Sequence, residues 1–170
     1  YSYRADPVNA GSYTVTAIYE DEDNYGEATA TLTINPAEIQ VVSGAVAADK
    51  TYDGTATATV TDVAFEGLVN GETLDASDYT VTAAEFADAN TGTGKSVRYT
   101  VELVKNAKTN NYVLTAASSA TTGTIEPKTI TVQVEAIADQ TFTGKALKPS
   151  VSVRASGTVD GYSLVEGTDY

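Results

Sequence analysis

The chain has 170 residues, 23 of them acidic against 10 basic, for a net charge of −13, and it contains no histidine, cysteine, methionine or tryptophan. That balance disfavours nucleic acid and anionic membrane surfaces, because both would repel it. Without cysteine there is no disulfide, and without histidine or cysteine the common nucleophile–base pairs and the imidazole or thiolate metal sites are excluded; no run approaches the roughly 20 apolar residues of a membrane span.

From the N-terminus, Tyr1-Ser2-Tyr3 opens within a strand pattern, so an export signal is expected upstream. Residues 12–19 then alternate: Tyr13, Val15, Ala17 and Tyr19 fall on one face, with Thr14, Thr16 and Ile18 on the other. Period two with β-branched and aromatic residues predicts a half-buried strand. The same pattern predicts strands over 28–34, 56–63, 79–83, 96–104 and 129–134, with another beginning at 151–153. Turn chemistry separates them, at Asn9-Ala10-Gly11, Asp53-Gly54, Asn70-Gly71, Gly92-Thr93-Gly94 and Asp160-Gly161. No segment holds a helical period. The weakest strand candidate, 102–109, reads as an extended loop or one helical turn.

The chain also repeats itself. Ile34-Asn35-Pro36-Ala37-Glu38-Ile39-Gln40-Val41 returns as Ile125-Glu126-Pro127-Lys128-Thr129-Ile130-Thr131-Val132, and Asp49-Lys50-Thr51-Tyr52-Asp53-Gly54 returns as Asp139-Gln140-Thr141-Phe142-Thr143-Gly144. Asp78-Tyr79 returns as Asp169-Tyr170. A spacing near 90 residues is a whole domain rather than a solenoid turn. One full module therefore spans 37–127, with the back part of a module over 1–36 and the front part of another over 128–170. Pro36 and Pro127 mark stiff joints where one strand runs directly into the next.

The blocks Asp49-Lys50-Thr51-Tyr52-Asp53-Gly54-Thr55, 86–95, Asn111-Tyr112-Val113-Leu114 and Gly123-Thr124-Ile125-Glu126-Pro127 resemble, in order and spacing, the YDG-type repeats of bacterial surface proteins and adhesins. Residues 7–36 resemble the end of an MBG-type repeat. Residues 138–170 are similar to the opening of repeats on Gram-positive surface proteins, with Phe142-Thr143-Gly144 in place of the tripeptide. The resemblance implies secreted, multi-domain, Ig-like stalk proteins of the bacterial cell surface or cell wall, with no enzymatic activity.

Individual motifs weigh toward structure. Tyr52-Asp53-Gly54 makes a tight turn under the tyrosine ring. Glu20, Asp21, Glu22 and Asp23 are candidate calcium ligands, since hard oxygens suit that ion, but they match no calcium loop and a solvated acidic hairpin tip is the default. Residues 91–95 read as a hairpin loop rather than a phosphate loop. A lysine–asparagine crosslink would call on Lys50, Asn111 and Asp78, yet Gln140 replaces Lys50 in the next repeat. Tyr1, Tyr3, Tyr13, Tyr19 and Tyr25 offer a sugar-stacking face as the rival to a passive stalk.

The sequence thus predicts an all-β chain of tandem Ig-like β-sandwich modules, with β-grasp-like modules as the alternative if 102–109 is helical. It predicts stalk repeats of an adhesin, with a glycan- or mucin-binding module as the functional alternative. It requires no cofactor beyond the calcium candidates. The expected partners are neighbouring repeats, host glycan or extracellular matrix, and other copies joined head to tail.

Overall fold

A computed structural model describes residues 7–158, 164, 165 and 168. The chain is all-β: β1 (Gly11–Glu20), β2 (Tyr25–Ile34), β3 (Ala37–Val42), β4 (Val46–Ala47), β5 (Lys50–Thr51), β6 (Val60–Thr61), β7 (Ala64–Glu66), β8 (Tyr79–Phe86), β9 (Gly92–Leu103), β10 (Tyr112–Ala116), β11 (Ser118–Glu126), β12 (Thr131–Val134) and β13 (Val153–Ser156). One 3₁₀ turn, Thr109–Asn111, precedes β10. Residues 102–109 are accordingly the end of β9, a loop and, at Thr109, the first residue of that 3₁₀ turn, so the segment as a whole is not helical.

The strands make a three-stranded sheet in the order β10-β3-β7 and a four-stranded sheet in the order β5-β11-β9-β8. The pairs β1-β2, β4-β6 and β12-β13 complete the set. Apolar alternation explains the interior. Val97, Tyr99 and Val101 of β9 share one face and are at most 2% exposed. They meet Val41 of β3, Phe86 of β8, Ile125 of β11, and Ala45, Ala47, Val60 and Val63 in one cluster. Every fully buried residue among those described lies between Ile39 and Ile125. Buried tyrosines turn their hydroxyls to polar partners: Tyr99 donates to the Val42 carbonyl, and Tyr112 donates to Glu72 at 2.6 Å while accepting from the Val69 amide.

Several expected elements differ, among them the following. The continuous strand predicted over 56–63 is broken. Its first half bonds β8, with the Ala58 amide on the Ala84 carbonyl and the Phe86 amide on the Ala56 carbonyl. Its second half, β6, pairs with β4. The segment changes sheets midway, which alternation alone does not register. The loop expected at 91–95 sits one step earlier, because Gly92 already opens β9 and pairs with Ile125. Thr93-Gly94 supply a bulge between that pair and Lys95↔Gly123. The strand expected from 151 begins at Val153. Asn70-Gly71 forms the expected turn, with φ of 53° and 72°. Asp160-Gly161, Asp169-Tyr170, Tyr1 and Tyr3 lie outside the described residues.

Strand register carries the sequence repeat into space. Gly11 pairs with Ile34, and Gly92 pairs with Ile125. The two glycines take φ of 154° and 159°. Past the bulge the match continues: Val15↔Ala30 corresponds to Val97↔Thr121, and Ala17↔Ala28 to Tyr99↔Ser119. Likewise Gln40↔Glu66, Val41↔Phe65 and Val42↔Ala64 correspond to Thr131↔Ser156, Val132↔Ala155 and Gln133↔Arg154. The β1–β2 hairpin therefore repeats the β9–β11 pair, and β12–β13 repeats β3–β7.

Candidate functional site

Tyr52-Asp53-Gly54 closes the chain after β5. Gly54 takes φ 82°, open to glycine and strained for other residues. The Asp53 carboxylate accepts from the Thr55 amide at 2.8 Å and the Thr55 hydroxyl at 2.9 Å, and it pairs with Lys50 Nζ at 2.8 Å. These contacts, led by Lys50, lower its pKa to about 2. Lys50 Nζ also donates to the carbonyls of Thr55 and Thr57. The Tyr52 amide bonds the Glu126 carbonyl, and its ring packs against the core. The Asp53 carboxylate and the Lys50 ammonium are thus both engaged in holding the turn. In the second copy, Gly144 keeps the left-handed conformation at φ 69° although Thr143 replaces the aspartate.

Asp21 is the keystone of the acidic tip between β1 and β2. It accepts from the Tyr19 hydroxyl, the amides of Asp23 and Asn24, and the Asn24 side chain. These bonds lower its pKa to about 2. The structure does not gather Glu20, Asp21, Glu22 and Asp23 around one point, and no group of three or more acidic side chains is placed to share a cation among the described residues.

Of the five tyrosines, the described ones, Tyr13, Tyr19 and Tyr25, do not share one face. Tyr19 pairs with Gly26 and shares the face of Tyr13, whereas Tyr25 pairs with Glu20 on the opposite face. Their hydroxyls donate to the Asn9 carbonyl from Tyr13, to Asp21 from Tyr19 and to Glu27 from Tyr25. The crosslink candidates are also apart in their bonding: Lys50 holds the turn above, Asn111 bonds Asn9 and Ala10, and Asp78 bonds Lys108 and Asn106.

The densest polar constellation was missed as such by sequence reasoning. Asp78, only 3% exposed, precedes β8. Its carboxylate accepts from Lys108 Nζ at 2.5 Å, Asn106 Nδ2 at 2.8 Å and the Asp75 amide at 3.1 Å. Lys108, above all, pulls the aspartate pKa down, and Asp78 pushes the lysine's up. Asn106 Oδ1 accepts the amides of Lys108 and Thr109, and the buried Thr109 hydroxyl donates to the Val104 carbonyl at 2.5 Å. The knot fixes the 3₁₀ turn and so aims Asn111 outward. Asn111 then accepts from the Ala10 amide at 2.8 Å and donates to Asn9 Oδ1 at 3.0 Å, across 101 and 102 residues of sequence. The one available signal was the recurrence of Asp78-Tyr79 as Asp169-Tyr170.

This arrangement ties the loop before β10 to the residues that lead into β1 through the Asn111 side chain. The family model for the YDG domain matches residues 35–122, a little over half of the chain. No curated protein and no solved structure matches it.

Proposed function

Because the chain belongs to the YDG domain family, we propose that it is a length of stalk in a secreted bacterial surface adhesin, holding a distal functional domain away from the cell. Its modules are a complete YDG-type repeat over 37–127, the end of an MBG-like repeat before it and the front of a further repeat after it. The central module reads as an Ig-like sandwich, since the β10-β3-β7 and β5-β11-β9-β8 sheets feed one apolar cluster. The role is mechanical and non-enzymatic.

The observation that carries this reading is the joint. β2 ends at Ile34 and β3 begins at Ala37, leaving only Asn35-Pro36 between them. The Asn111 clasp adds a second tie across the same joint. A short proline link with a side-chain brace suits a stiff spacer, unlike a glycine–serine tether.

Small-angle scattering on one, two and four tandem copies of the chain tests it. The maximum dimension should grow in proportion to copy number. Growth as the cube root of copy number, the signature of a compact particle, refutes the stalk. A glycan-array signal from the intact chain that Tyr13→Ala or Tyr19→Ala abolishes would install the binding-module reading instead.

A further inference from the structure

We propose that the buried Asp78–Lys108 pair is a remote latch on the joint at Pro36. It orders the loop before β10 so that Asn111 can hold the β1–β2 hairpin, and its loss frees the hairpin while the central module stays folded. The latch does not need the stalk reading, which scattering tests separately; it follows from one continuous run of hydrogen bonds.

The run starts at Asp78, which grips the loop after β9 along its length. Its backbone carbonyl accepts from the Val104 amide at 2.9 Å, and its carboxylate accepts from Asn106 Nδ2 at 2.8 Å and Lys108 Nζ at 2.5 Å. The bond to Asn106 decides which way that side-chain amide points. With Nδ2 committed to Asp78, Oδ1 faces the Lys108 and Thr109 amides, 2.9 Å from each. The next bonds close the 3₁₀ turn: the Asn110 amide reaches the Asn106 carbonyl and the Asn111 amide reaches the Lys108 carbonyl, both at 3.0 Å. The buried Thr109 hydroxyl pins the turn from beneath, donating to the Val104 carbonyl and accepting from the Asn106 amide.

Asn111 leaves this turn already oriented. Its Nδ2 donates to the Ala107 carbonyl within the loop and to Asn9 Oδ1 across the joint, while its Oδ1 accepts from the Ala10 amide. Asn9 passes the hold into the hairpin, because its carbonyl accepts from the Tyr13 hydroxyl at 2.7 Å. Asn9 is exposed, so water competes for the bonds of this clasp. Such bonds hold a hairpin when their side chain is ordered before contact, since the entropy of ordering it otherwise consumes the gain. The Asp78 knot supplies that order from inside the module. Knot and clasp therefore act in sequence, and changes to the two should be non-additive.

Amide hydrogen exchange on the intact chain tests the latch. Ala10 reports the clasp, and Val101, a fully buried residue whose amide bonds the Ala117 carbonyl, reports the module. Asp78→Asn sets an amide donor against the Lys108 and Asp75 donors. Asn106→Asp sets a second carboxylate against Asp78 while keeping an acceptor for the turn. Each should speed exchange at Ala10 at least ~fivefold with Val101 still protected, and Lys108→Met should speed it about threefold. The exchanged pair D78N/N106D puts a donor back opposite an acceptor and should return Ala10 to within about twofold of wild type. In the Asn111→Ala background none of these changes should speed Ala10 further. Wild-type exchange at Ala10 in N106D and K108M overturns the proposal. So does an exchanged pair no slower than its single variants, or effects that multiply in the Asn111→Ala background. If D78N unfolds the module, N106D and K108M carry the same test, because both keep the buried carboxylate.

Discussion

At the residue scale, two glycines show how space and backbone conformation separate. Gly67 has φ 95°, and a Cβ there would lie 2.5 Å from the Glu38 carbonyl oxygen, while Gly71 has φ 72° and open space. Gly67→Ala should therefore destabilise by about 2 kcal/mol or more, and Gly71→Ala by about 1 kcal/mol, in chemical denaturation. The difference measures the clash apart from the φ penalty. Asp53 and Asp21 set the acid response. Both carboxyls titrate at about 2 in the fold against 3.8 ordinarily. Groups held below their unfolded pKa contribute stability that is complete above pH 4 and is lost as pH falls through about 2. The melting temperature should drop across that window, and Asp53→Asn with Asp21→Asn should flatten the drop. An unchanged slope in the double variant would assign the acid sensitivity to other carboxylates.

At the element scale, the loops on either side of β8 and β9 are held by one buried carboxylate. Asp78→Ala strands the Asn106 amide and the Asp75 N–H, and should cost about 2–4 kcal/mol. Lys108→Met should cost less, because Asp78 keeps two neutral donors and the lysine is already partly solvated. The alternation of Tyr13, Val15, Ala17 and Tyr19 made β1 legible, since a two-residue period has one strand interpretation. The repeated Ile-x-Pro and turn glycines pointed to the matching registers of β1–β2 and β9–β11 for a similar reason. The break within 56–63 was not legible: its residues alternate throughout, and the switch lies in which neighbour each half bonds. The Asp78 knot was hidden for a related reason. Asn106, Lys108 and Thr109 lie about 30 residues from their aspartate, and an ordinary Asn-Ala-Lys-Thr string carries no spacing that names its partner.

At the scale of the whole molecule, the joint at Pro36 depends on Asn111 rather than on the proline alone. Asn111→Ala removes both bonds to Asn9 and Ala10 without touching the core. Hydrogen exchange at the Ala10 amide should speed up at least tenfold, and the melting temperature of the central module should hold within about 2 °C. Slow exchange in that variant would mean that the hairpin is positioned by other contacts. Another consequence lies in the two parallel pairings. The strand that enters the central module, β3, lies parallel to β10, and β10 passes through Ala117 into the exit strand β11. Tension applied at the two ends of such a module pulls β3 backward along its neighbour while β10 is drawn forward. Their ladder of hydrogen bonds must then slide and fail together, lengthwise, instead of unzipping one rung at a time. The same parallel pairing that closes the fold opposes its being drawn apart from the two ends.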